Sequence, residues 1–235
     1  MKKIKTITKH NWFIRLLKKI IKTFGNEATV IQTETSLPEK AIYISNHSGA
    51  AGPIKISIYF PKILVPWGAH PMTEWYPSRW KYLYHIFYRK KLHYSKFKSF
   101  LLATTFGIIS KTVYNGAHLI PTYPNVLLKK TIKRSINHLN VNNSLLIFPE
   151  DSDNGYLEEI ESFHAGFVFL AQRYFKENKT HIPIIPLYFN KTDRLIIVGN
   201  SYTLEDFSEI VSRDEIANKF RLILNNLPKI NKTTN

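Results

Sequence analysis

The 235-residue chain contains no cysteine, which excludes a disulfide framework, a thiolate zinc site and a cysteine nucleophile together. It also has no carboxylate between Trp75 and Pro149. Residues 1–149 carry 23 lysines and arginines against four acids (Glu27, Glu34, Glu39 and Glu74), a net charge of +19, whereas residues 150–235 carry 10 against 13. So skewed a field points to an acidic partner: an anionic membrane surface, a phosphorylated cofactor, an acidic carrier protein or nucleic acid. No run of eighteen apolar residues is present either. The longest candidate, Phe100 to Ile109, is broken by Thr104, Thr105 and Gly107, so no spanning helix is expected. Lys9, Arg15, Lys18 and Lys19 interrupt the apolar stretch that a signal peptide would need after Met1. The chain reads as unexported, and the Asn46-His47-Ser48 triplet then has no meaning for glycosylation.

What the chain does have is a core-forming composition, 44% apolar and 14% aromatic, enough for one sizeable domain. Trp12, Phe13, Leu16, Leu17, Ile20, Ile21 and Phe24 recur at helical spacing between Arg15, Lys18, Lys19 and Lys22. This pattern predicts a basic amphipathic helix, and periodicity alone fits a surface helix packed on its own domain as well as one on a membrane. Eight basic residues and no acid in the first 24, with an aromatic pair at the boundary, favour an interfacial helix on anionic lipid. Gly25 ends it. Ala41 to Ser45 reads as a short buried strand, residues 54–60 as a helix after Pro53, and Phe100 to Val113 as an apolar helix or hairpin. A basic helix over Lys129 to Leu139 precedes an apolar strand, Ser144 to Phe148; a helix over Phe163 to Tyr174 precedes a strand from Ile182 to Phe189. Alternating strands and helices predict an α/β domain whose central, largely parallel sheet is flanked by helices. The expected organisation is an interfacial helix over 1–24, one domain over 25–230 and a tail over 231–235.

In such a sheet, ligands bind beyond the carboxyl ends of the strands. His47 follows one strand, Glu150, Asp151 and Asp153 follow another, and Pro121-Thr122 follows a third expected strand ending at Ile120. A strand-end imidazole beside a carboxylate-rich loop suits a general base, because its ordinary pKa lets it take a hydroxyl proton near neutrality. No histidine pair has helical ligand spacing backed by carboxylates, so no metal is expected.

The order of these pieces resembles the glycerolipid (lysophospholipid) acyltransferase family. Its first block, Asn-His followed after four residues by Asp, is similar to Asn46-His47-Ser48-Gly49-Ala50-Ala51, with Gly52 in place of the Asp. Its second block, a Gly followed six residues on by an Arg, resembles Gly116 to Pro121 with Thr122 in place of the Arg. Its third, Phe-Pro-Glu-Gly-Thr-Arg, matches Phe148-Pro149-Glu150 and then departs at Asp151, Ser152 and Asp153. Phe163-His164-Ala165-Gly166 resembles the family's Phe-x-x-Gly helix start, and Ile182 to Leu187 is similar to its fourth block, a proline-rich apolar strand.

The resemblance spans roughly residues 41–189. It implies an acyltransferase on the cytoplasmic face of a membrane, moving a fatty acyl group from a coenzyme A or acyl carrier protein thioester to a hydroxyl of a lipid or glycolipid acceptor. His47 would be the base, with Glu150, Asp151 or Asp153 orienting it or the acceptor. Asn46, Ser48, Gly116, Thr122, Phe148 and Pro149 would line the substrate. The thioester is a co-substrate, and no permanently bound cofactor is implied. Because Gly52 cannot orient His47, a carboxylate from Glu74 or the 150–153 loop is expected in its place. The family's two phosphate-engaging arginines are missing, unless cations from residues 79–98 substitute. A second reading keeps the fold without turnover, as a lipid-binding or scaffold protein. The aromatic-basic run Trp80 to Tyr94 would suit nucleic acid, but it contains no nucleic-acid motif.

Overall fold

The computed structural model describes residues 4–32, 36–152, 155–157 and 159–233. Its strands are β1 (Thr29–Gln32), β2 (Ile42–Ser45), β3 (Leu64–Ala69), β4 (Ile120–Thr122), β5 (Ser144–Ile147), β6 (Ile184–Asn190) and β7 (Leu195–Val198). They form one seven-stranded sheet in the order β1-β7-β6-β2-β5-β3-β4. The five strands from β6 to β4 in that order run parallel; β7 is antiparallel to β6, and β1 is parallel to β7.

The helices are α1 (Trp12–Phe24), α2 (Ala51–Tyr59), α3 (Tyr76–Lys81), α4 (Lys96–Gly116), α5 (Leu128–Leu139), α6 (Gly166–Asn178) and α7 (Arg213–Thr233). A π-helix over Tyr82–Lys91 continues α3. The region left open by sequence alone, Phe100 to Val113, is helical throughout, and α7 continues into the expected tail as far as Thr233.

Side-chain alternation along the central strands separates two cores. Ile42, Ile44, Leu145, Ile147 and Ile184 face a layer built from Ile132, Ile136, Phe167, Leu170 and Phe220 of α5, α6 and α7. Tyr43, Leu146, Ile185 and Leu187 face Ile56 of α2 and Phe60. Because β2 is buried on both faces, it reads as a continuous apolar run and carries its first polar residues only at its carboxyl end. A third cluster, Met72, Leu83, Tyr88 and Ala103, packs the π-helix onto α4.

Helix α1 starts at Asn11, whose Oδ1 accepts the Ile14 amide at 2.9 Å. Ile14 is buried, while Trp12, Leu16, Ile20 and Phe24, spaced four apart, are exposed. The apolar positions therefore divide. One line packs inward and the other faces out. Among the described residues no helix is long and apolar enough to cross a membrane.

Candidate active site at the carboxyl edge of the sheet

The chain leaves β2 through Ser45 and Asn46 and then turns sharply, with Ser48 at φ 45° and Gly49 at φ 66°. Two successive left-handed residues curl the backbone back on itself, a conformation easy for glycine and costly for serine. The curl brings the Gly49 carbonyl against Nδ1 of the His47 ring. Since a carbonyl can only accept, Nδ1 carries the proton and Nε2 keeps its lone pair.

Glu150, just beyond β5, holds the same turn from the other side. Its Oε2 accepts the His47 backbone amide at 2.9 Å, and the Leu157 amide also bonds to the carboxylate. Burial raises the Glu150 carboxyl above its ordinary pKa, opposed by those two amides and by the Lys91 charge. The loop carrying Glu150 is itself pinned: the His164 amide donates to the Pro149 carbonyl at 2.8 Å and the Asp151 amide to the Ser162 carbonyl at 3.1 Å.

The imidazole is enclosed by aromatic rings. Tyr156 stacks on it with centroids 4.5 Å apart and planes 19° apart, and the Phe148 ring lies 4.9 Å away. The His47 pKa is pulled down to about 4, chiefly by burial, with the Gly49 carbonyl opposing and the Lys91 cation adding to the shift. Lys91, the last residue of the π-helix, donates from Nζ to Ser152 Oγ at 2.5 Å and sits 5.9 Å from the Tyr156 ring. Ser152 in turn hydrogen bonds the Tyr156 phenol, which burial keeps protonated.

The structure brings His47, Phe148 and Glu150 together, and the groups that orient the ring are not those expected from sequence. Gly49 meets the ring where a carboxylate is expected, and Glu150 meets the backbone amide. Glu74 accepts from Ser78 Oγ at 2.5 Å and lies 3.9 Å from His70. Asp151 is exposed, and Asp153 lies outside the described residues. Asn46 does not line the substrate space: its buried carboxamide donates to the Phe189 carbonyl at 3.0 Å and accepts the Phe189 amide at 2.7 Å, clamping β2 to β6. Ser48 serves the turn.

Gly116 precedes β4 and lies at the opposite edge of the sheet. A Cβ there would meet Ile14 Cγ1 at 2.5 Å, so this glycine lets α1 approach α4. Thr122 is at the carboxyl end of β4, paired with Ala69, beside the stacked rings of His70 and Tyr123. Gly52 also has a packing reason. A Cβ would stand 2.4 Å from the His47 carbonyl oxygen.

Sequence reasoning misses Tyr156 and gives Lys91 only as one of several cations in the 79–98 region. Tyr156 lies in a loop without periodicity, and nothing local marks it as the partner of a ring a hundred residues earlier. No protein-family model matches this chain, and no curated protein matches its sequence.

Proposed function

We propose that the protein is a membrane-surface acyltransferase that moves a fatty acyl group from an acyl thioester to a hydroxyl of a lipid or glycolipid acceptor. The observation that carries this reading is the fixed tautomer of His47 at the carboxyl edge of the sheet, with Nε2 as its unprotonated nitrogen. Nε2 takes the acceptor's hydroxyl proton as the oxygen attacks the thioester carbonyl. The tetrahedral intermediate collapses with cleavage of the carbon–sulfur bond, and the imidazolium returns the proton to the departing thiolate. Lys91, whose charge already bears on both His47 and Glu150, favours the negative charge that develops on the carbonyl oxygen. The donor is a coenzyme A or acyl carrier protein thioester, and both carriers suit the basic field of residues 1–149.

A membrane-surface location is supported by the exposed line of Trp12, Leu16, Ile20 and Phe24 on α1 and by exposed Phe97, Leu101 and Ile108 on α4. Arg15, Lys19, Lys22, Lys96 and Lys98 lie among them in the chain, a composition suited to an anionic cytoplasmic leaflet. The test is release of free thiol from an acyl thioester by the purified protein, with and without lysophospholipid and glycolipid acceptors on anionic vesicles. Acceptor-dependent release with a matching acylated product supports the reading; the absence of product with every acceptor contradicts it.

One observation favours the alternative, a lipid-binding or scaffold protein without turnover. A base held near pKa 4 under a stacked tyrosine is a weak one. In that case the protein would bind lipid and thioester and leave both unchanged.

A further inference from the structure

At the edge of the sheet opposite His47, the N-terminal segment crosses the ends of α4 and α5. Thr6 Oγ1 donates to the Val141 carbonyl at 2.8 Å, the Ile7 amide to Asn143 Oδ1 at 2.8 Å, and Asn143 Nδ2 to the Lys5 carbonyl at 3.1 Å. Between segment and helices is a cavity of about 580 Å³, lined by residues 4–9, Asn115, His118, Leu119 and His138. None of the lining residues is acidic.

Two histidines, His118 and His138, line it, and His10 lies near His118. His118 is close enough to both His10 and His138 for a charge on it to disfavour a charge on either. Burial lowers the pKa of all three, that of His138 to about 4, and Lys18 lowers His10 further. The Gly116 backbone bonds to the His10 ring and opposes part of that lowering. His138 Nδ1 faces Asn143 Nδ2 at 3.1 Å, so it accepts and the opposite ring nitrogen carries the proton. The acid tied to this region, Glu39, accepts from Asn142 at 2.6 Å. It does not line the cavity.

We propose that this cavity binds a phosphate group, held by the ammonium groups of Lys5 and Lys9 with Asn115, His118 and His138 as further donors. A dianion supplies a counter-charge that no residue lining the cavity provides. It also accepts several hydrogen bonds at once. The volume exceeds one phosphate and leaves room for an attached polar body, such as the glycerol of a lipid headgroup or of a soluble phosphate ester. The site is separate from His47, and its occupancy does not depend on the chemistry proposed there.

The test follows the ring C–H resonances of His118 and His138 by NMR in the full-length protein. Inorganic phosphate, glycerol phosphate and vesicles of phosphatidylcholine with and without phosphatidic acid are added at constant ionic strength. Saturable shifts with the soluble phosphates identify a soluble ligand; shifts with phosphatidic acid vesicles alone identify a headgroup; either supports the proposal. Lys9→Gln and His118→Asn should each weaken binding by about tenfold, the loss expected for one hydrogen bond to a charged group. Asparagine suits the left-handed backbone at His118, φ 58°, and Lys9→Gln changes an exposed side chain, so at least one variant reports on a folded protein. Absence of shifts with every phosphate source, or unchanged affinity in a folded variant, overturns the proposal.

Discussion

Tyr156 lies flat on the imidazole of His47, with ring centroids 4.5 Å apart. The contact joins a loop after β5 to the turn after β2 and removes one face of the ring from water. It is therefore a cause of the low His47 pKa, since desolvation penalises the charged imidazolium. Replacing Tyr156 with alanine is expected to raise the His47 pKa from about 4 toward the ordinary value of 6.5, read by NMR titration of the ring protons. An unchanged pKa would assign the desolvation to Phe148 and the turn instead.

Substituting Asp for Gly52 tests whether a carboxylate can be restored to the family's position. The added Cβ meets the His47 carbonyl at 2.4 Å, backbone that cannot swing aside as a side chain can. Gly52→Asp is expected to destabilise the fold by about 1–3 kcal/mol, the usual scale of overpacking, and not to raise turnover. Urea unfolding and a turnover assay on the same preparation check both parts.

Much of the fold is legible in the sequence because β2, β5 and β6 are apolar runs, and because α5 places its apolar residues on one face. Strands β1 and β3 are not legible in this way, because Thr29 to Gln32 and Pro66 to Ala69 carry too little local pattern to stand out. Strand β7, Leu195 to Val198, is an apolar run as marked as β5 and is nevertheless missed from the sequence. Around the site, the strand-end position of His47 is legible, as is the return of Glu150 to the same place. The Gly49 carbonyl is not, because a backbone group leaves no mark in a residue-type pattern. Asn46 reads as a substrate residue because the sequence places it beside His47. In the structure its side chain points across to β6.

Asn46→Ala is expected to cost stability through the fold and not through the chemistry. It leaves the Phe189 amide and carbonyl without their partner in a buried setting, and each unsatisfied group costs about 1–3 kcal/mol. The midpoint of urea unfolding should fall with little change in slope. An unaltered midpoint would mean that water or a shifted β6 satisfies both groups.

Acid should weaken the protein through its buried histidines. His47 and His138 both have native pKa values of about 4, against 6.5 for free imidazole. As pH falls from 6.5 toward 4 the unfolded chain binds protons that the native protein does not, so stability declines across that window and is complete above it. Thermal melts at pH 7.5, 6 and 4.5, in about the range spanned by these histidines, should show a progressive fall that His138→Gln makes shallower. Equal slopes in the two proteins would remove His138 from the account.

Contact with a membrane is expected to run through the outer line of α1. Trp12→Ser with Phe24→Ser changes two residues that are 73% and 86% exposed, leaving Ile14 and the packing on Gly116 in place. Sedimentation with anionic vesicles should drop sharply while the circular dichroism spectrum is retained. Undiminished sedimentation would direct attention to the exposed face of α4.

The central claim is that Nε2 of His47 removes the proton from the acceptor hydroxyl, and His47→Ala in a single-turnover acyl-transfer assay tests it most directly. The substitution removes the ring and leaves the Glu150 bond to the residue's backbone amide, so the variant should fold. Its rate of acylated product formation at saturating thioester and acceptor should fall by about 10²–10⁴-fold, the contribution of a positioned general base. Product formation by folded His47→Ala at the rate of the unaltered protein would contradict the account.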